Sequence, residues 1–138
     1  MIMAYTISFN LYPDTIIPTQ DTDTEAICLR CGGLCNRHTT RHSNRNGNAG
    51  RPYYRCMSCS KFATWADERG KHPGNPPCHC GRPSRRQISG NAKHPPRGVH
   101  YVCANGGCWF YMAGKGSDHR QVQISEGLVP MMASLGII

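Results

Sequence analysis

Cys28-Leu29-Arg30-Cys31-Gly32 and, after a polar loop, Gly50-Arg51-Pro52-Tyr53-Tyr54-Arg55-Cys56-Met57-Ser58-Cys59 decide the fold. Two cysteine pairs, each with two residues between its members, are separated by a short aromatic run. Tetrahedral zinc takes four Cys or His ligands, commonly delivered as two close pairs on separate turns. A glycine after the first pair suits such a turn, because the backbone amides must swing toward the sulfurs.

The same order of features returns further along. Cys78-His79-Cys80-Gly81 opens a second block, and Cys103 and Cys108 close it. Gly47-Asn48-Ala49 in the first block is matched by Gly90-Asn91-Ala92 in the second. Tyr53-Tyr54-Arg55-Cys56 is matched by His100-Tyr101-Val102-Cys103, each reading as a strand that runs into a cysteine. Such self-similarity marks an internal repeat. The eight cysteines Cys28, Cys31, Cys56, Cys59, Cys78, Cys80, Cys103 and Cys108 therefore predict two four-cysteine sites and two Zn²⁺ per chain. Cys35 is left over, as a free buried thiol or a substitute ligand. His79 and His100 are alternative ligands in the second block.

The chain has 138 residues, with 9 Cys, 7 His, 15 Gly and 10 Pro. Blocks this short bury too little surface to fold unaided. Zinc would supply folding free energy on the order of 10 kcal/mol per site. A disulfide scaffold is the competing reading. The odd cysteine count, the turn-like spacing and the absence of a basic-then-apolar leader in Met1–Pro18 weigh against it. The expectation is an intracellular protein of nucleus or cytoplasm, with no membrane span. The fold class expected is small, metal-stabilised and mainly β, with two tandem zinc-binding modules that each contain a short antiparallel sheet.

The segments expected are five. Residues 1–27 hold a strand, with Tyr5, Ile7, Phe9 and Leu11 on one face, and an acidic linker. Residues 28–67 and 78–115 are the zinc modules. Residues 68–77 are a stiff Pro/Gly linker, and 116–138 a short strand around Val122 and Ile124 with an apolar tail. The tail and the N-terminal strand are candidates for a protein partner or self-association.

The net charge is +8 at pH 7. Residues 1–27 carry four acids and no Lys or Arg, whereas 28–66 carry seven bases and no acid. Basic surfaces interleaved with aromatics bind single strands, since every base offers a face for stacking. In a strand, alternate side chains point inward, so of Tyr53 and Tyr54 one faces the core and one the solvent; the sequence leaves open which.

The first block, Cys28-x2-Cys31-Gly32 through Gly50-Arg51-Pro52-Tyr53-Tyr54-Arg55-Cys56 to Cys59, Phe62 and Trp65, resembles the GRF-type zinc finger. The second block resembles a degenerate copy, with Arg97-Gly98 in reversed order and Cys108-Trp109-Phe110-Tyr111 closing it. The resemblance implies a curved three-stranded sheet around one zinc and binding of single-stranded DNA or RNA. It is a family of accessory modules on DNA-repair, topoisomerase and helicase-type enzymes. Taken with charge and aromaticity, it nominates Arg51, Tyr53, Tyr54, Arg55, Trp65, Arg85, Arg86, Arg97, Tyr101 and Trp109 for nucleic-acid contact. The alternative is a zinc-stabilised protein-interaction adaptor without nucleic-acid binding. Enzyme activity is not expected: a zinc hydrolase or deaminase needs an open metal position and a nearby Glu. The three glutamates Glu25, Glu68 and Glu126 lie outside every metal-ligand motif.

Overall fold

The computed structural model describes residues 26–44 and 46–138; the N-terminal strand expected at Tyr5–Leu11 lies outside them. Strands β1 (Cys35–Thr39), β2 (Pro52–Cys56) and β3 (Phe62–Trp65) form one antiparallel sheet in the order β1-β2-β3. Strands β4 (Arg85–Ile88), β5 (Val99–Val102) and β6 (Tyr111–Ala113) form a second sheet in the order β4-β5-β6. The fold is mainly β and twofold repeated, as the sequence predicts.

Register assigns the faces, because residues directly opposite each other share a side. In the first sheet Cys35 pairs with Cys56, Arg37 with Tyr54 and Thr39 with Pro52. The other face carries Asn36, His38, Tyr53, Arg55 and, across β3, Trp65 and Phe62. A bulge between Tyr54 and Arg55 brings Phe62 and Trp65 to that same side. Tyr54 is thus the inward tyrosine, packed on the buried cluster of Cys28, Cys35 and Cys56. Tyr53 faces outward.

The second sheet packs its Ile88 and Val99 against the end of the chain. Val99, Ile124, Val129 and Ile138 form a buried cluster, joined by Met132 and Ile137. Pro130 sits in the first turn of the short helix α1 (Val129–Ser134), where its missing N–H costs no hydrogen bond. The expected strand around Val122 and Ile124 is reduced to isolated bridges, Gly98 with Gln123 and Lys115 with Gln121. The expected apolar tail gives Val129 and Ile138 to this core, and leaves Leu128, Met131 and Leu135 exposed.

The segment expected as a stiff linker is instead bonded into the fold. Gly70 N–H donates to the Gly136 carbonyl, and the Gly70 carbonyl accepts from Arg86 N–H. Buried Asn75 donates through Nδ2 to the carbonyls of Gly70 and Ser84, at 2.9 and 2.8 Å. The two modules therefore form one packed unit across residues 68–77. Arg69 extends the seam by donating to the carbonyls of Ile138 and Gly47.

Candidate metal centres and nucleic-acid face

Each module brings two turns together. Cys28 and Cys31 meet Cys56 and Cys59, and Cys78 and Cys80 meet Cys103 and Cys108. Within each group all the sulfurs lie within 4.8 Å of one another. In the first, Sγ of Cys28 is 3.7 Å from that of Cys59, and Sγ of Cys31 is 3.4 Å from that of Cys56. Sulfurs at the corners of a tetrahedron with Zn–S bonds of about 2.3 Å sit about 3.8 Å apart, so the donor set fits zinc. Gly32 and Gly81, each just past a turn, adopt φ of 76° and 82°. Only glycine enters that region without strain.

Backbone amides support the sulfurs from outside. Cys59 N–H points at Cys56 Sγ, Cys80 N–H at Cys78 Sγ and Gly107 N–H at Cys103 Sγ, at 3.4, 3.4 and 3.2 Å. The Cys59 amide leads the effects that pull Cys56 down to about 6. In the other module Cys80 shifts the opposite way: a hydrogen bond with Cys108 leads the effects that push it up to about 12. Four thiols this close cannot all ionise without a cation among them. With zinc bound, all four serve as thiolates and every metal position is filled by protein.

Cys35 is fully buried against the first group but is not a member of it. His79 packs its ring edge-on to Phe110, and His100 is bonded to Gln87 and to the Gly98 carbonyl. None of the three joins a four-sulfur group. All nine cysteines are free of disulfides.

The outward face of the first sheet is an aromatic row. Tyr53 stacks on His38 and on Phe62, with centroids 5.7 Å apart in both cases. Trp65 stands edge-on to Phe62 at 4.9 Å. Phe62 lies at the seam and lines two clefts, of about 230 and 280 Å³, where the modules meet. Gln87 lines both clefts as well. The larger continues along Tyr111 to Trp109, over which the Arg30 guanidinium sits 5.9 Å from the ring centroid. Trp109 is 64% exposed, Tyr111 61% and Phe62 42%. The result is an exposed aromatic groove that crosses both modules.

The ten residues nominated for contact divide sharply. Tyr53, Trp65 and Trp109 lie on this groove or its outward extension. Arg55 is on the same face, exposed, and donates through Nε to the Ser60 carbonyl. Tyr54 faces the sulfur cluster. Arg51 and Arg85 are corrections: they are 4% and 1% exposed and are spent inside the protein. Arg51 donates to both Asp67 carboxylate oxygens and covers the Trp65 ring at 4.1 Å. Arg85 donates to Asp67 and to the carbonyls of Arg69, Trp65 and Ala104. Arg86 and Tyr101 pair with each other on the opposite face of the second sheet, at 3.4 Å from Nε to the hydroxyl. Arg97 is turned toward the Ile124 carbonyl and Asn91. Phe62, Gln87 and Arg30 carry the groove but were not among the ten. Phe62 was visible as part of the aromatic close of the first block; Gln87 and Arg30 had only their nearness to the cysteine turns and aromatic strands.

Residues 25–69 match the family described as the GRF-like zinc ribbon domain. No curated protein matches the chain. Among solved structures, the crystal structure of the human NEIL3 tandem zinc finger GRF domains is similar at 20% identity, with a TM-score of 0.26. That match covers 72% of this chain and 99% of the other. Cysteine spacing, four-sulfur geometry and the family match agree that the first module is similar to GRF-like zinc ribbons; the second module repeats its three strands and four cysteines.

Proposed function

We propose that the protein binds single-stranded nucleic acid, DNA or RNA, in the groove that crosses its two zinc modules. The observation that carries this reading is the exposed run Phe62–Tyr111–Trp109, which crosses the seam next to half-buried Trp65 and sits beside Arg30. A soluble surface does not expose several large rings along one line without a partner for them. Unpaired bases supply flat faces to stack on, and basic side chains supply the phosphate contacts. The role is one of binding: each metal has four thiolate ligands and no open position for a substrate. Metal-dependent turnover that survives purification would overturn this. No helix among the described residues is long and apolar enough to cross a membrane. The setting proposed is the nucleus or cytoplasm.

The test is titration of the zinc-loaded protein with a labelled oligonucleotide at low and moderate salt. Affinity is expected to fall linearly in log–log with salt, with a slope of about −0.7 per phosphate contacted. Trp109→Ala is expected to weaken binding by about 5- to 100-fold, the equivalent of one stacked base. If binding is absent at every salt concentration, the proposal fails. A stoichiometric protein partner that persists after nuclease treatment would then favour the adaptor reading, with exposed Leu128, Met131 and Leu135 as the first surface to probe.

A further inference from the structure

His100 and Gln87 stand opposite each other on β5 and β4, on the side of the second sheet that faces the first module. Their hydrogen bonds have a fixed sense. The Gly98 carbonyl, 3.2 Å from His100 Nδ1, can only accept, so Nδ1 carries the proton and donates. Burial lowers the pKa of this imidazole and holds the ring neutral, with a lone pair on Nε2. The nitrogen of the Gln87 amide, 3.2 Å from Nε2, must then be the donor. The Gln87 carbonyl oxygen and the second N–H of its amide are left with no hydrogen-bond partner among the described residues. The ring of Tyr111 stacks on the other side of His100 at 5.3 Å and closes off that flank.

Gln87 lines both clefts of the seam with Phe62, and the larger one also with Tyr111. We infer that Gln87 reads the edge of one base seated in the seam, with His100 setting the polarity of the reading. This rests on the binding reading above and goes beyond it. The amide presents a free acceptor and a free donor together, which matches the amino group and N7 of adenine. Thymine and uracil place a carbonyl where adenine carries its amino group, so the Gln87 oxygen meets a second acceptor there. His100 acts through Gln87 and is a positioning residue.

The experiment measures dissociation constants of the zinc-loaded protein for equal-length labelled dA, dC and dT strands, and for rA, rC and rU. Wild type is expected to bind the A strands at least about fivefold more tightly than T or U, the discrimination of one oriented hydrogen bond. Gln87→Met keeps the length and removes the acceptor; it should bring that ratio close to one while overall affinity for dT stays within a few-fold. His100→Phe frees the Gln87 amide to turn over, and should also erase the ratio with two zincs retained by native mass spectrometry. An equal affinity for all strands in wild type, or an unchanged ratio in Gln87→Met, would overturn the inference and leave the binding proposal standing. Failure to bind any strand would overturn both.

Discussion

The carboxylate of Asp67, just past the first sheet, accepts a hydrogen bond of 2.9 Å from the buried guanidinium of Arg85 in the second. The same carboxylate accepts from Arg51 at 2.8 Å. One acid thus serves two buried bases, one from each module. Arg85 adds three bonds to backbone carbonyls, yet its Nε has no partner among the described residues. Burial lowers its pKa to about 10, with Asp67 acting in the opposite direction. It therefore stays charged at neutral pH and depends on Asp67.

Asp67→Asn removes the only carboxylate among the ion pairs of this cluster and leaves two cations close together in the seam. Breaking a buried pair from one side typically costs 3–5 kcal/mol; with Asp67 partly exposed, about 3 kcal/mol is expected. Denaturant unfolding of zinc-loaded wild type and variant at equal zinc measures it. A loss below about 0.5 kcal/mol, the range of ordinary surface substitutions, would show that the seam does not rely on this pair.

The pH dependence of that link has a definite sign. Although burial, the largest single effect, raises the Asp67 pKa, the Arg51 hydrogen bond and the two guanidinium charges prevail and hold it below its ordinary 3.8. A carboxylate with a depressed folded pKa contributes stability fully above the unfolded value and loses it as pH falls through the folded one. The difference in stability between wild type and Asp67→Asn should therefore be flat between pH 5 and 8. The absolute stability of both should fall toward pH 5, as protons compete with zinc for the thiolates. A difference that shrinks above pH 5 would contradict the assignment.

Native mass spectrometry is expected to find two zincs per chain. Cys56→Ser should lose one and unfold the first module, seen as lost dispersion of its amide signals. Cys35→Ala should keep both, since Cys35 lies outside the four-sulfur group although it is buried beside it. The cost there should be that of a small cavity, on the order of 1 kcal/mol. A single zinc in Cys35→Ala would make Cys35 a ligand.

Gly70→Ala should weaken the contact between the modules. Gly70 has φ of 79°, and a Cβ there would collide with the Arg86 carbonyl oxygen, which is backbone and cannot step aside. The expected loss is at least about 2 kcal/mol, from left-handed strain and the broken Arg86 N–H to Gly70 bond together. The two zinc sites lie elsewhere and should keep their stoichiometry.

Which of these features the sequence shows depends on the range of the interaction that creates them. The two metal sites were legible because their ligands come in pairs two to five residues apart, and tetrahedral geometry constrains spacing directly. The inward and outward assignment of Tyr53 and Tyr54 was legible only as an alternation. It took pairing with Arg37 and His38 to say that Tyr54 meets the sulfurs. Arg51 and Arg85 were misleading for the same reason that they matter. A basic residue beside an aromatic strand reads as a phosphate contact until one knows that Asp67 lies against it.

By itself the sequence determined the chemistry: eight cysteines in two repeated sets, zinc as their cofactor, short strands between the turns, and a basic, aromatic character. Each of these is local, set by spacing, alternation and composition. Only the tertiary structure decided that the supposed linker is packed and that the tail supplies the core of the second module. It alone decided which aromatics line the groove and which arginines are left exposed. Those outcomes depend on contacts between residues far apart in the chain, such as Arg69 with Ile138, Thr64 with Ala104 and Arg85 with Asp67. No local pattern records such contacts.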